Sequence, residues 1–289
     1  MAKLVCGCGY LGLRVARRWL GRGETVWCTT RSPHRADGWR QLGLRPLLTD
    51  VTHPWSLPPE VLNIDTVLFA VGFDRSDARP IEEVYTEAIR HTGYALPDSV
   101  RRLIYISSTG VYGQSAGEWV DEDSPCQPTR AGGRACLAAE RWLAGSRWCS
   151  RTVVLRLAGI YGPGRIPKRS AVVAGEVLDT DPDGYLNLIH VDDAAELVLA
   201  AEARAVPPRT LVIADGEPVL RGDFYRELAR LLRAPEPRFA GPGSPVPRTG
   251  RGATDKRIRI RRMRDVLSAE LRFPSYREGL AAIVADQAG

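Results

Sequence analysis

Three glycines near the beginning of the chain, Gly7, Gly9 and Gly12, have the spacing G-x-G-x-x-G, with Tyr10 and Leu11 between the last two. An apolar stretch precedes them and apolar residues at helical spacing follow, which places the motif where a strand turns into a helix. Such glycines let the backbone approach a pyrophosphate, and the free N–H groups of the helix N-terminus attract it. These five residues are therefore predicted to bind a dinucleotide. The alternative is an ordinary turn between a strand and a helix.

The end of the second predicted strand bears on which dinucleotide is bound. An acidic residue there would bind the ribose hydroxyls of NAD, but this chain has Thr30 and Arg31 instead. A guanidinium can neutralise a 2′-phosphate, and neighbouring hydroxyls can donate to it. We predict that NADP(H) is the cofactor and that Thr30 and Arg31 bind it. If Arg31 is only a surface residue, NAD is the alternative.

Strands and helices alternate along the first part of the chain, which is typical of a parallel sheet with helices on both faces. The pattern predicts an α/β fold class, a Rossmann doubly wound parallel sheet with a small C-terminal substrate-binding lobe. The predicted strands are 3–6, 25–30, 44–48, 66–71, 102–107 and 152–157, and the predicted helices are 11–20, 80–96 and 135–143.

The second half of the chain is less regular, with strands predicted at 186–189 and 210–214, helices at 194–203 and 276–285, and a proline-rich loop at 235–247. We assign residues 1–163 to the NAD(P)-binding Rossmann domain and residues 164–289 to a mixed segment. In that segment, residues of about 164–185 and 215–275 are predicted to form the substrate lobe. The other strands and helices would return to the Rossmann domain.

The chain is basic, with a formal net charge of +6. Its arginines are scattered, except for one dense run at 256–264. Such a run is typically a solvated strand edge or helix face, and a phosphate-binding role is the second interpretation. No nucleic-acid-binding motif accompanies it, so a nucleic-acid partner is disfavoured.

The six cysteines have no C-x-x-C spacing, and no metal site is predicted from them. No secretory signal and no apolar run of membrane-spanning length is present in the sequence. We therefore expect free thiols, no membrane association and a cytoplasmic location.

Further motifs make the chain similar to a known family. They are Asp50–Val51, Ala70–Gly72, S-S-T-G-V-Y-G at 107–113, Arg156 with Y-G-P-G at 161–164, and H-V-D-D at 190–193. Together with the glycine turn, they resemble the extended short-chain dehydrogenase/reductase family, the NAD(P)-dependent epimerases and dehydratases, over nearly the whole chain. The segment P-S-Y-R-E-G-L at 274–280 further resembles a bacterial subgroup of atypical members.

This resemblance implies more cofactor contacts and a class of substrate. The pair at 50–51 would contact adenine, and the segment at 70–72 would lie along the cofactor after the fourth strand. The substrate would be a small polar molecule such as a nucleotide-sugar, and the chain would be able to pair as a homodimer. The additional cofactor-binding residues that the resemblance implies are Asp50, Val51, Ala70, Val71, Gly72 and Ser107.

The catalytic part of the family pattern is incomplete in this chain. Ser108, four residues before Tyr112, matches the serine that orients the substrate oxygen. The family's general acid is the Tyr of Y-x-x-x-K, and the Lys of that motif lowers its pKa. Here Gly132 stands at the Tyr position and Cys136 at the Lys position. Cys136 is a candidate nucleophile or acid, with a small buried helix residue as the alternative.

Two functions follow from this incomplete pattern. The first is an NADP(H)-dependent oxidoreductase, epimerase or dehydratase that uses Ser108 and an unusual proton donor. The second is a catalytically silent NADP(H) sensor that passes the state of the cofactor to a partner protein. The fold by itself does not decide between them, because one fold supports many chemistries.

Overall fold

A computed structural model describes residues 1–61, 63–73, 78–240 and 255–286. Its strands are β1 (Ala2–Cys6), β2 (Thr25–Thr30), β3 (Arg45–Leu48), β4 (Ile64–Phe69), β5 (Arg102–Ser108), β6 (Glu118–Val120), β7 (Thr152–Leu157), β8 (Gly159–Tyr161), β9 (Val177–Leu178), β10 (Tyr185–Leu186), β11 (Leu188–His190), β12 (Arg209–Ile213), β13 (Val219–Leu220), β14 (Arg238–Phe239) and β15 (Lys256–Ile258). Its α-helices are α1 (Gly12–Gly21), α2 (Pro33–Gln41), α3 (Ile81–Ala95), α4 (Ala131–Gly145), α5 (Arg169–Val173), α6 (Val191–Arg204), α7 (Arg221–Leu232), α8 (Arg261–Leu267) and α9 (Tyr276–Asp286).

A parallel sheet organises the described residues, with seven strands in the order β12-β7-β5-β4-β1-β2-β3. β1 lies in its middle, with Leu4 opposite Trp27 of β2 on one side and Val67 of β4 on the other. The strand order reverses between β1 and β4, and ligands of such sheets bind outside the carboxyl ends of the strands at this point. The predicted fold class, a Rossmann doubly wound parallel sheet, is confirmed.

Both faces of the sheet are buried, and β1 shows how. Val5 points into a core that includes Val15 and Trp19 of α1, together with apolar residues of α6. Its neighbour Leu4 points into a second core, which includes Ile89 of α3 and apolar residues of α4. Because successive side chains of a strand point to opposite faces, a strand covered by helices on both sides needs apolar residues at every position. The continuous apolar runs in the sequence reflect this arrangement.

A third apolar core lies outside the sheet. Phe224 and Leu228 of α7 pack there with Tyr161, Leu188 and Leu280, which come from distant parts of the chain. Short strand pairs border this core, including the antiparallel pair of β10 with β13 and the parallel pair of β9 with β14.

Several element boundaries differ from the sequence prediction for local reasons. The strand predicted at 186–189 is divided into β10 and β11 at Asn187, whose amide accepts from the N–H of Ile258 and donates to the Lys256 carbonyl. α4 begins at Ala131, four residues before its predicted start. The prediction started too late because Gly132 and Gly133 have low helix propensity. Part of the proline-rich loop predicted at 235–247 lies outside the described residues, and β14 occupies Arg238–Phe239.

Four helices were not predicted, the short α5 and α8 and the longer α2 and α7. α2 buries only Ala36 and Trp39, so its apolar periodicity is weak. Its N-terminal signal is nevertheless present, since Ser32 accepts from the Arg35 N–H at 3.3 Å and Pro33 follows at the first helical position. α7 has the regular apolar stripe that the pattern requires, with Phe224, Tyr225, Leu228 and Ala229 buried.

The basic run at 256–264 forms more than a solvated face. Its first part is β15, which pairs in parallel with β6, and its last part begins α8. Lys256, Ile258 and Ile260 are buried, whereas Arg259 is exposed. The solvated interpretation therefore holds for part of the run only, because alternate residues of β15 point into the protein.

A buried polar network attaches α4 to the sheet. The Arg156 guanidinium on β7 binds the Glu140 carboxylate on α4, with Nη2 2.7 Å from Oε2, and it donates to the Tyr112 hydroxyl at 2.9 Å. Ser107 donates to Glu140 at 2.5 Å. Burial alone would lower the pKa of Arg156, but the hydrogen bonds and charge of Glu140 outweigh burial and raise that pKa. The network holds both charges where water cannot solvate them.

Removing one charge from this network leaves the other buried without compensation. We expect Arg156→Met to reduce the free energy of unfolding by about 3–5 kcal/mol, measured by urea denaturation. The matched control is Arg40→Met, which breaks an exposed ion pair with Asp37 and should cost less than about 1 kcal/mol. Adding Glu140→Gln to Arg156→Met should recover part of the loss. Equal losses for the two arginine variants would contradict the structural role of the network.

Candidate functional site

The glycine turn after β1 is constrained by the neighbouring strand. Gly7 has a φ of +88°, and a Cβ on it would lie 2.4 Å from the carbonyl carbon and oxygen of Ala70. The Ala70 N–H donates to the Cys6 carbonyl at 2.8 Å, which extends the pairing of β1 with β4 to the turn. Only glycine fits at position 7, because a side chain would enter the backbone that follows β4.

The start of α1 leaves space where a phosphate would bind. A Cβ on Gly12 would lie 2.4 Å from the Gly7 carbonyl oxygen, so the helix packs tightly against the turn. A Cβ on Gly9 would meet no atom within 4 Å, so the space over Gly9 is open. Leu11 precedes the helix and gives it no side-chain cap. The turn therefore fits a dinucleotide pyrophosphate, since uncapped N–H groups and open space coincide there.

Tyr10 connects the glycine turn to the second half of the chain. Its hydroxyl donates to the carbonyl of Pro163 at 3.1 Å. The guanidinium groups of Arg14 and Arg165 lie 4.4 Å and 5.3 Å from its ring centre, on the scale of cation–π contacts. Burial, which outweighs these two positive charges, raises the pKa of Tyr10. Its side chain thus holds the segment after β8 against the predicted cofactor site.

At the end of β2, the Thr30 side chain is buried and accepts from the Ser32 N–H at 3.1 Å. The side chain of Arg31 is 51% exposed, and its Nη1 lies 3.7 Å from Oδ2 of Asp50. The Asp50 carboxylate also accepts from the N–H and the hydroxyl of Thr52, at 2.9 Å and 2.7 Å. Burial opposes the charge on Asp50, but these bonds and Arg31 together lower its pKa. Val51 beside it is buried.

The ends of β4 and β5 carry the other predicted site residues. Ala70, Val71 and Gly72 follow β4 directly, and the structure brings Ala70 against Gly7. Ser108 ends β5, and its hydroxyl accepts from the Gly110 N–H at 3.0 Å. Ser107 is different, since it is buried and donates to Glu140. Its side chain is thus committed to the structural network.

α4 brings Gly132 and Cys136 to the carboxyl edge of the sheet. A Cβ on Gly132 would be 3.8 Å from the nearest atom, Cδ1 of Ile81, so there is open space at the position predicted to correspond to the family's tyrosine. Cys136 is buried. Burial, with the added effect of the Glu140 charge, raises the pKa of the Cys136 thiol to about 11. A neutral thiol at neutral pH favours the buried helix residue over the nucleophile for Cys136.

Three residues near the site were not singled out from the sequence. Gly133 permits α4 to approach the backbone that follows β5, because a Cβ on it would lie 2.1 Å from the Gly110 carbonyl oxygen.

Lys256 is buried and donates to the Tyr112 carbonyl at 2.9 Å. Burial and the nearby charges of Arg130 and Arg221 lower the pKa of Lys256 to about 8. Tyr85 on α3 accepts from the Phe73 N–H. For Lys256, the sequence signal that could have indicated a buried side is the alternation of arginine and isoleucine over 257–260.

Two further properties of the described residues bear on function. His, Cys, Asp and Glu side chains do not form a group of three or more that would hold a metal ion in that part of the chain. None of the helices there has the length and apolar character that crossing a membrane requires. His190 accepts from the Asp192 N–H at 3.3 Å and caps α6.

Comparisons with known proteins agree with this geometry. Protein YeeZ of Escherichia coli strain K12 is 31% identical over 241 residues, which cover 81% of this chain and 85% of YeeZ. A conserved protein from Silicibacter pomeroyi is 30% identical, with a TM-score of 0.78 over 100% of this chain and 99% of that chain. UDP-glucose 4-epimerase from Thermotoga maritima, solved with UDP-glucose, shares the fold at 18% identity, with a TM-score of 0.79 over 100% of this chain and 99% of that chain.

The family model that matches the chain is described as the NAD dependent epimerase/dehydratase family, and the match covers residues 4–214. This range includes the glycine turn, the serine motif that begins at the end of β5 and the H-V-D-D motif at the start of α6. The chain belongs to the NAD dependent epimerase/dehydratase family.

Proposed function

We propose that this protein binds NADP(H) across the carboxyl edge of its parallel sheet and transfers hydride to or from a small polar substrate. The observation that carries the proposal is the tight turn at Gly7 and Gly12 beneath the open space over Gly9. Ser108 lies at the same edge and would orient the substrate oxygen. When bound, the cofactor would supply the hydride chemistry, and the protein would bind, orient and protonate.

The proposed cofactor contacts follow from where each residue lies at the carboxyl edge of the sheet. Gly7, Gly9 and Gly12, with Tyr10 and Leu11, would surround the pyrophosphate at the start of α1. Asp50 and Val51 would lie at the adenine, and the segment 70–72 would run beside the rest of the molecule. Ser107 would lie beside the cofactor at the end of β5, with its hydroxyl donating to Glu140.

Arg31 supports NADP(H) over NAD(H). Its guanidinium follows β2 directly and is half exposed, so it lies where a 2′-phosphate of the adenine ribose would be bound and can donate two parallel hydrogen bonds to it. NAD(H) remains the alternative cofactor.

We propose a nucleotide-sugar-like substrate, bound between the sheet edge and a lobe of residues of about 164–185 and 215–275. Support comes from the shared fold of the Thermotoga maritima enzyme solved with UDP-glucose. All six cysteines are free thiols, which suits a reducing compartment such as the cytoplasm. A homodimer through α3 and α4 is a further part of this proposal.

A second candidate function is a catalytically silent NADP(H) sensor. Gly132 and Cys136 favour it, because neither supplies the phenol or the ammonium group of the family's pair. The two functions differ in one measurable property, which is whether hydride leaves or enters the bound cofactor.

The glycine turn is tested by two variants of contrasting geometry. Gly9→Ala should keep the wild-type melting temperature but weaken NADPH binding about tenfold or more, because the new methyl group enters the phosphate space. Gly7→Ala should lower the melting temperature, because the methyl group enters the backbone at Ala70. Calorimetric titration and thermal denaturation measure the two effects. Unchanged NADPH affinity in a folded Gly9→Ala protein would contradict the cofactor site.

The role of Arg31 is tested by comparing how its loss changes the affinities for NADPH and NADH. Arg31→Ala should weaken NADPH binding by about ten- to a hundredfold and leave NADH binding within about twofold, since only NADPH carries the 2′-phosphate. Arg40→Met, an exposed arginine change on the helix that follows, should alter neither affinity. Equal losses for both cofactors would count against NADP(H) selectivity through Arg31.

Ser108 is tested in single-turnover experiments, with UDP-glucose as the probe and the absorbance of reduced nicotinamide as the readout. Ser108→Ala should slow hydride transfer by about 10²-fold or more, the scale of one lost hydrogen bond to a developing oxyanion. Ser115→Ala, an exposed serine in the following loop, should transfer hydride at the wild-type rate. Equal rates for the two variants would remove Ser108 from the mechanism. No transfer by the wild-type protein that binds cofactor would favour the sensor.

A further inference from the structure

The open space at Gly132 is bordered by α3. Cδ1 of Ile81 lies 3.8 Å from a Cβ placed on Gly132. Tyr85 follows Ile81 by four residues, as Cys136 follows Gly132, so each pair lies along one helix face. The two helices pack against each other, and both follow strands of one parallel sheet, so they run in the same direction. Tyr85 is therefore placed at the level of Cys136.

Contacts within the core agree with this placement. Tyr105 on β5 interacts electrostatically with both the Cys136 thiol and the Tyr85 phenol. Cys136 in turn interacts with the backbone of Ser108, the residue predicted to orient the substrate. Tyr85 is half-buried and packs at the border of the same apolar core.

The phenol of Tyr85 reaches the carboxyl edge of the sheet. Its oxygen accepts a hydrogen bond from the Phe73 N–H at 3.1 Å. Phe73 directly follows Gly72 in the segment that would lie beside the cofactor after β4. The phenol is the acceptor in this contact. An N–H donor at this oxygen also favours the negative charge that remains when the proton leaves.

Other groups near the edge are less suited to proton transfer. The Cys136 thiol is buried, and burial raises its pKa. Tyr112 and Tyr161 are fully buried, unlike the half-buried Tyr85: the Tyr112 hydroxyl lies inside the network of Arg156, and the Tyr161 hydroxyl donates to the Ser275 carbonyl. Arg134 is paired with Glu82 on the exposed side of the helices and cannot deprotonate.

We propose that Tyr85 supplies the acid–base phenol that position 132 lacks, so that the group comes from α3 instead of α4. This inference rests on the proposed hydride-transfer function. In the direction of reduction, the substrate carbonyl carbon accepts hydride from the reduced nicotinamide, which is oxidised, and the carbonyl oxygen takes the proton of the Tyr85 hydroxyl. Solvent then returns a proton to the phenolate. The reverse direction follows the same path.

Kinetic tests compare Tyr85→Phe with Tyr94→Phe, a matched change on the same helix at a side chain that is 68% exposed. With UDP-glucose as the probe, Tyr85→Phe should slow single-turnover hydride transfer by about 10²- to 10⁴-fold and leave the Kd of NADPH within about threefold. It should also abolish the rise of the oxidation rate with pH that a phenol acid–base group produces. Tyr94→Phe should match the wild type in all three respects. A wild-type rate and pH profile in Tyr85→Phe would overturn the proposal.

A second readout does not depend on turnover. In protein labelled with ¹³C at the tyrosine ζ carbons, the signal that disappears in Tyr85→Phe identifies Tyr85, and Tyr94→Phe identifies Tyr94. Adding NADP⁺ should shift the Tyr85 signal and leave the Tyr94 signal in place. A Tyr85 signal that does not move, while a thermal shift shows that NADP⁺ is bound, would overturn the proposal even if hydride transfer is found. By contrast, no binding of any nicotinamide cofactor would mean that the proposed function itself has failed.

Discussion

The close approach of two backbones at the carboxyl edge of the sheet is the constraint on which the site depends. β1 pairs with β4, and the turn that follows β1 passes so near Ala70 that only a glycine fits at position 7. Gly12 then lets α1 begin directly over that turn. The start of α1 is thereby held beside the end of β4, where the strand order reverses, and its uncapped N–H groups face open space.

α4 has a comparable role on the other side of the same edge. Gly133 lets it approach Gly110, while Glu140 binds Arg156 of β7 and Ser107 of β5 in the protein interior. These contacts keep the end of β5, and with it Ser108, at a defined distance from the helix. They do not involve Gly132, where the space is open. The frame of the site is therefore preserved independently of the family's usual acid–base pair.

Local signals predicted the parts of the protein in which neighbouring residues act together. The glycine turn and the apolar strands were recognised because spacing and periodicity are local properties, and Ser108 because its motif is contiguous. α2 was missed because it buries only Ala36 and Trp39, which leaves no clear periodicity. The division of the strand at Asn187 depends on β15, about seventy residues later in the chain, so no local pattern could indicate it.

The sequence by itself determined the fold class, the position of the glycine turn and the presence of Gly132 and Cys136 where the resemblance predicts the family's Tyr and Lys. Only the tertiary structure decided which side chains surround the space at Gly132, that Lys256 is buried and that Cys136 is buried, which raises the pKa of its thiol. The physical reason is that burial and contact depend on elements distant in sequence. Tyr85 lies at the level of Cys136 because the parallel strands bring α3 and α4 together on one face of the sheet.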